Sequence, residues 1–136
     1  MQTLPRSDSS LLVRSAPSSS PQWKQLVSAL QRENADGFRA YVVPVDDPRW
    51  YRLSVDALRA SVPVTEAQVL FVADELTLAA PEFPVLAIDL RGSGRAFRCI
   101  ATELWSVENN LNLANMGWQE FAALVDSQGV YRGLNG

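Results

Sequence analysis

The sequence predicts one α/β or α+β domain, a mixed sheet of about five strands with helices packed on it. Three observations predict it. The chain has 136 residues, 47% of them apolar, which is the length of one ordinary domain with material for one sizeable core. Two short runs, Val69-Leu70-Phe71-Val72 and Val85-Leu86-Ala87-Ile88, are continuously apolar, as strands covered on both faces are. Elsewhere the apolar period moves between two and about 3.6 residues, so strands and helices alternate along the chain.

Residues 1–8 are polar and read as a flexible N-terminal arm, which leaves residues 9–136 as the globular domain. Leu11-Leu12-Val13, with turn residues on both sides, reads as the first strand. A Ser/Pro loop follows. Ser20-Pro21 then supplies a helix cap and a proline at the first helical position, and Trp23, Leu26, Val27 and Leu30 keep helical spacing up to the stop at Asp36-Gly37. Residues 38–45 alternate as a second strand, and Pro44 puts it at an edge or ends it there. Asp46-Asp47-Pro48 is a turn, and Ser54 caps a short helix that runs out near Pro63.

Residues 68–73 form a third strand with a short helical turn after Asp74. Residues 85–101 fold as a hairpin around Arg91-Gly92-Ser93-Gly94. Residues 102–115 carry a helical stripe of Leu104, Val107, Leu111 and Ala114, with Thr102 as its cap. Met116-Gly117 breaks it, and Trp118, Phe121, Ala122 and Val125 mark a second short helix. Residues 130–133 are a tail against the core. Strand order stays open.

Composition excludes several chemistries. The chain has no histidine, so the usual general base near neutral pH and the commonest transition-metal ligand are missing. Cys99 is the one cysteine, which rules out an intramolecular disulfide and a four-ligand structural zinc site. Its apolar neighbours make it a buried small hydrophobe. Lys24, the one lysine, lies on the first helix, which argues against a Ser–Lys or Schiff-base enzyme. A net charge of −3 argues against nucleic acid as a partner. The charge is uneven: +1 over residues 1–68 and −4 over residues 69–136, so the C-terminal half carries either a solubilising acidic surface, the plainer alternative, or an acidic face for a basic partner. The N-terminus lacks a basic region followed by an apolar run, and no stretch approaches the roughly 18 apolar residues of a spanning helix. The expectation is a soluble cytoplasmic protein, with no membrane contact and no cofactor.

Three constellations remain. Asp46, Asp47 and Asp74 follow predicted strands, with Asp89 late in another. Ligands bind outside the carboxyl ends of parallel strands, and two or three carboxylates there could hold Mg²⁺. The plainer alternative is turn and cap chemistry. No Gly-rich phosphate loop accompanies them.

The second is Glu108-Asn109-Asn110-Leu111-Asn112 with Asn115. Asn costs a helix on the order of half a kcal/mol relative to Ala, so something should offset four of them. Hydrogen bonds to neighbouring backbone would do so, and a polar recognition surface is the alternative. The third is Arg49-Trp50-Tyr51-Arg52, whose residue types are those enriched at binding hot spots. Its alternative is an aromatic covering the edge of the core between solvated arginines.

The chain also resembles an uncharacterised family of small bacterial, mainly actinobacterial, proteins described only as a domain of unknown function. The resemblance runs over roughly residues 4–134. It is carried by Ser10-Leu11-Leu12-Val13-Arg14, Gly37-Phe38-Arg39-Ala40-Tyr41-Val42, Val45-Asp46-Asp47-Pro48, Val69-Leu70-Phe71-Val72-Ala73-Asp74 and Phe97-Arg98-Cys99-Ile100. The most specific segment is Glu103-Leu104-Trp105-Ser106-Val107-Glu108-Asn109-Asn110-Leu111-Asn112-Leu113-Ala114-Asn115-Met116. It implies a bacterial cytosolic protein and no particular activity.

Together these readings favour a non-catalytic protein-interaction module, of an accessory or immunity type, that meets a protein partner through Arg49, Trp50, Tyr51 and Arg52. The alternatives are a Mg²⁺-dependent enzyme built on Asp46, Asp47 and Asp74, and a small-molecule-binding domain using Glu108, Asn109 and Asn110.

Overall fold

A computed structural model describes residues 2–133. The elements in chain order are β1 (Leu11–Arg14), α1 (Ser20–Gln31), β2 (Val43–Val45), a 3₁₀ turn (Pro48–Trp50), α2 (Val55–Ala60), β3 (Val69–Ala73), α3 (Glu75–Ala79), β4 (Val85–Asp89), β5 (Ala96–Cys99), a second 3₁₀ turn (Ala101–Glu103), α4 (Leu104–Asn112), α5 (Trp118–Ala122) and β6 (Val130–Tyr131). The strands form one mixed sheet in the order β2-β1-β3-β4-β5-β6. β1 is parallel to both β2 and β3, β4 is antiparallel to β3 and β5, and β6 is parallel to β5.

The apolar runs explain the middle of the sheet. All five residues of β3 are buried, because helices cover both faces. Leu12, Val69, Phe71, Val85 and Ala87 point to the face covered by α1, α3, α4 and α5, where Trp23, Leu26, Leu104, Val107 and Phe121 complete the larger core. Leu11, Val13, Leu70, Val72 and Ile88 point to the other face, covered by Leu58 of α2, Trp50 and Leu4. The chain steps from β1 to β2 in one direction and from β2 past β1 to β3 in the other. Crossovers of one hand then put α1 and α2 on opposite faces, as found.

Four details depart from the sequence expectation. The second strand is three residues long, not eight, because Arg39 and Tyr41 bond to α4 side chains, and Phe38 to Asn34, instead of to a neighbouring strand. α1 starts one residue earlier than a Ser20 cap requires; its N-cap is Ser19, in the left-handed region at φ 64° with no side-chain cap bond. Thr102 lies inside the second 3₁₀ turn and caps nothing; α4 starts at Leu104. A sixth strand, β6, docks beside β5, where the Arg98 and Ile100 amides donate to the Gly129 and Tyr131 carbonyls. Within residues 2–8, Leu4 is buried and donates its N–H to the Ser61 carbonyl at 2.8 Å. Among the described residues, no helix is long and apolar enough to cross a membrane.

Candidate functional site

The carboxyl ends of β1, β2 and β3 bring Arg14, Asp46 and Asp74 to one rim of the sheet. Arg14 is buried and its donors are all engaged. Nε donates to the Ala16 carbonyl at 2.8 Å, Nη1 to Asp46 at 3.2 Å, and Nη2 to the Ser18 carbonyl at 3.1 Å and Ser20 Oγ at 2.9 Å. Asp46 also accepts the Tyr51 hydroxyl at 2.7 Å, and that bond raises the Tyr51 phenol above its ordinary pKa.

Asp47 faces a different cation. It accepts the Arg49 backbone N–H at 3.0 Å, capping the 3₁₀ turn, and pairs with Arg49 Nε at 3.1 Å. Asp74 caps α3 in a reciprocal box with Thr77 and takes a two-pronged pair from Arg98, at 2.7 and 3.0 Å. Burial pushes the Asp74 carboxyl up, but the bonds from Arg98 and Thr77 outweigh it and hold the group below its usual value. The expected Mg²⁺ triad is therefore corrected. Asp46, Asp47 and Asp74 each answer a different arginine, and among the described residues no three carboxylate, thiol or imidazole groups converge to hold a metal ion.

The expected recognition segment is also corrected at its centre. Trp50 is 3% exposed and packs in the core with Leu58 and Leu70, so it cannot present an indole to a partner. Tyr51 is half-buried with its ring under the Arg14 guanidinium, 5.2 Å from the centroid. Arg49 is exposed but paired with Asp47, and Arg52 is exposed with its backbone N–H bonded to the Ser15 carbonyl.

The amide-rich helix has a structural task at the opposite rim. Glu108 is buried, and its carboxylate accepts the Tyr41 N–H at 2.7 Å, Asn109 Nδ2 at 3.0 Å and Asn112 Nδ2 at 2.9 Å. Asn109 Nδ2 also donates to the Arg39 carbonyl at 3.1 Å. Asn112 bridges the feet of two strands, accepting the Gln68 N–H at 2.8 Å and donating to Ser10 Oγ at 3.0 Å. Asn110 turns back into its own helix, donating to the Ser106 carbonyl, and its own carbonyl accepts the Asn115 and Met116 amides. These bonds offset the poor helix propensity of Asn and fix residues 39–41 against α4.

What the network holds out is an aromatic face. Phe38 and Tyr41 are 46% and 48% exposed. Phe38 stacks on Trp105 at 4.9 Å with ring planes 9° apart, and the Arg39 guanidinium lies 4.4 Å from the Tyr41 centroid. Beside them runs a groove of about 320 Å³ lined by Leu30, Arg32, Phe38, Arg39 and Trp105. The alternation over residues 38–45 would put Phe38 and Tyr41 on the two faces of a strand. The pattern that marks them instead is Phe38-Arg39-Ala40-Tyr41, which sets two aromatics beside an arginine, as Trp50 and Tyr51 stand between Arg49 and Arg52.

No curated protein matches the chain. Residues 9–134 match the model of a family described as a domain of unknown function (DUF6924), and the chain belongs to that family.

Proposed function

We propose that the domain is a non-catalytic protein-interaction module whose recognition face is Phe38, Arg39 and Tyr41, with Trp105 as the platform beneath. One observation carries this reading. Two large aromatics, each nearly half exposed, are pinned by specific contacts: the Glu108 carboxylate accepts the Tyr41 N–H, Asn34 Oδ1 accepts the Phe38 N–H, and the Phe38 ring stacks on Trp105. Exposed aromatics and arginine dominate binding hot spots, and pre-organisation lowers the entropy lost on association. Edge pairing with a partner strand fits less well. In the register of β2 against β1, Pro44 faces the open edge and brings no N–H donor to it. The occupant is therefore a side-chain surface of a folded protein, in a bacterial cytoplasm. The small size and the acidic second half agree with an accessory or immunity-type role.

The test is affinity capture with the wild-type chain and with a Phe38→Ala, Tyr41→Ala double variant confirmed as folded by its thermal transition. The captured protein is then purified and titrated against both. A stoichiometric partner whose affinity falls by roughly 30-fold or more in the variant is expected for a hot-spot pair. Equal affinity would sink this face, and a wild-type chain that captures nothing from its native lysate would sink the module.

A further inference from the structure

We propose that the cleft between α2, residues 62–65 and the β4–β5 hairpin binds an organic oxyanion, a carboxylate or phosphate group on a small apolar body. The cleft holds about 320 Å³ and is lined by Arg59, Val62, Pro63, Leu90 and Arg91. Two guanidinium groups therefore border one space. Each is anchored by one edge to a backbone carbonyl, Arg59 Nε to Asp89 at 3.0 Å and an Arg91 Nη to Thr65, and its other N–H donors remain for a ligand.

Among the described residues neither charge is held in an ion pair; the ion pairs there occupy Arg14, Arg49, Arg98 and Arg132. Asp89 is the acid whose backbone Arg59 holds, but its carboxylate is buried and consumed by the hairpin. It accepts the Arg91 N–H at 2.8 Å, the Ser93 N–H at 3.3 Å and Ser93 Oγ at 2.7 Å. Nor is Arg59 a freely moving surface group. Its guanidinium packs over Gly94, where a Cβ would meet it at 3.3 Å, and Gly94 takes a φ of 66°. Each guanidinium, held by one edge and without an ion-pair partner among the described residues, presents the fork that carboxylate and phosphate groups accept. The apolar floor of Val62, Pro63 and Leu90 adds burial for a ligand with a hydrocarbon or aromatic portion.

The test uses the full chain and ¹⁵N-resolved NMR titration with phenyl phosphate and benzoate, against neutral benzamide and inorganic phosphate. The expected result is saturable movement of the Thr65, Leu90 and Arg91 amides and the Arg59 Nε–H with the two aromatic anions. Inorganic phosphate should bind more weakly, and benzamide should not saturate. Arg91→Ala should weaken phenyl phosphate about tenfold or more, as loss of a charged hydrogen bond does. Arg59→Lys, which keeps the charge and loses the fork, should weaken it as well. Arg39→Ala, on the aromatic face, should leave this titration unchanged. Non-saturable shifts, or equal affinity in wild type and Arg91→Ala, would overturn the proposal and leave the aromatic face untouched.

Discussion

Glu108 on α4 accepts the backbone N–H of Tyr41 at 2.7 Å, across 67 positions of chain. The bond does for residues 39–41 what a strand partner would otherwise do. The carboxylate takes three N–H donors and faces no cation in any ion pair among the described residues, so it acts as an acceptor hub. Glu108→Gln keeps the shape but replaces one acceptor oxygen with a donor facing another donor. Unfolding in urea should show a loss of roughly 1–3 kcal/mol, the cost of a buried unsatisfied polar group. Amide exchange at Tyr41 should speed up more than at Phe71 in β3. An unchanged Tyr41 exchange rate would show that the network does not hold the aromatic face.

Trp50 and Phe38 should separate stability from recognition. Trp50 is 3% exposed and Phe38 is 46% exposed. Trp50→Ala should cost about 3–5 kcal/mol, as large-to-small changes of core aromatics do. Phe38→Ala gives up a partly solvated stack and should cost no more than about 1.5 kcal/mol. Chemical denaturation of the two variants compares them directly. A Phe38 variant as unstable as the Trp50 variant would make Phe38 a core residue and remove the basis of the recognition face.

The Asp74–Arg98 pair sets a pH dependence with a definite sign. The folded carboxyl lies below its ordinary value, so the unfolded chain binds the proton more readily. The stability it contributes is present above the unfolded pKa of about 3.9 and is lost as pH falls through the folded value. Between pH 5 and 8 this group should contribute no slope. Asp74→Asn should lower stability at pH 7 by on the order of 1–3 kcal/mol and flatten the acid limb below about pH 4. Denaturation midpoints across pH 2–7 for both chains read this out. Parallel acid limbs would mean that the pair carries no linkage.

The parts of this molecule legible in its sequence are those with local causes. Val69-Leu70-Phe71-Val72 is apolar at every position because both faces are covered, and the run announces a central strand. Ser54 and Asp74 cap the helices they precede, through bonds to Ala57 and Thr77 only three residues on. The candidate sites were less legible because their partners are distant in sequence. Asp46 meets Arg14 over 32 positions and Asp74 meets Arg98 over 24, so no local pattern separates a metal triad from three ion pairs, of which only Asp47–Arg49 is local. Residues 49–52 and 38–41 each set two aromatics beside arginine, and which aromatics face solvent depends on where the sheet lies. β6 has two residues, too few to show a period.

Tyr131 gives the sharpest test of the packing. It is fully buried in β6, edge-on to Phe121 at 5.1 Å, and among the described residues its hydroxyl has no hydrogen-bond partner; Ser106 stands nearby without satisfying the geometry of a bond. Burial raises the phenol above its ordinary pKa, so it stays neutral across the physiological range. An unpartnered buried hydroxyl costs about 1–3 kcal/mol, whereas the ring alone keeps every apolar contact. Tyr131→Phe should therefore leave the midpoint of thermal unfolding unchanged or raise it by a few degrees. Tyr131→Ala should lower it steeply, by removing about 3–5 kcal/mol of core packing. If Tyr131→Phe destabilised the fold by more than about 1 kcal/mol, the hydroxyl would have to be bonded, with a buried water as the first partner to seek.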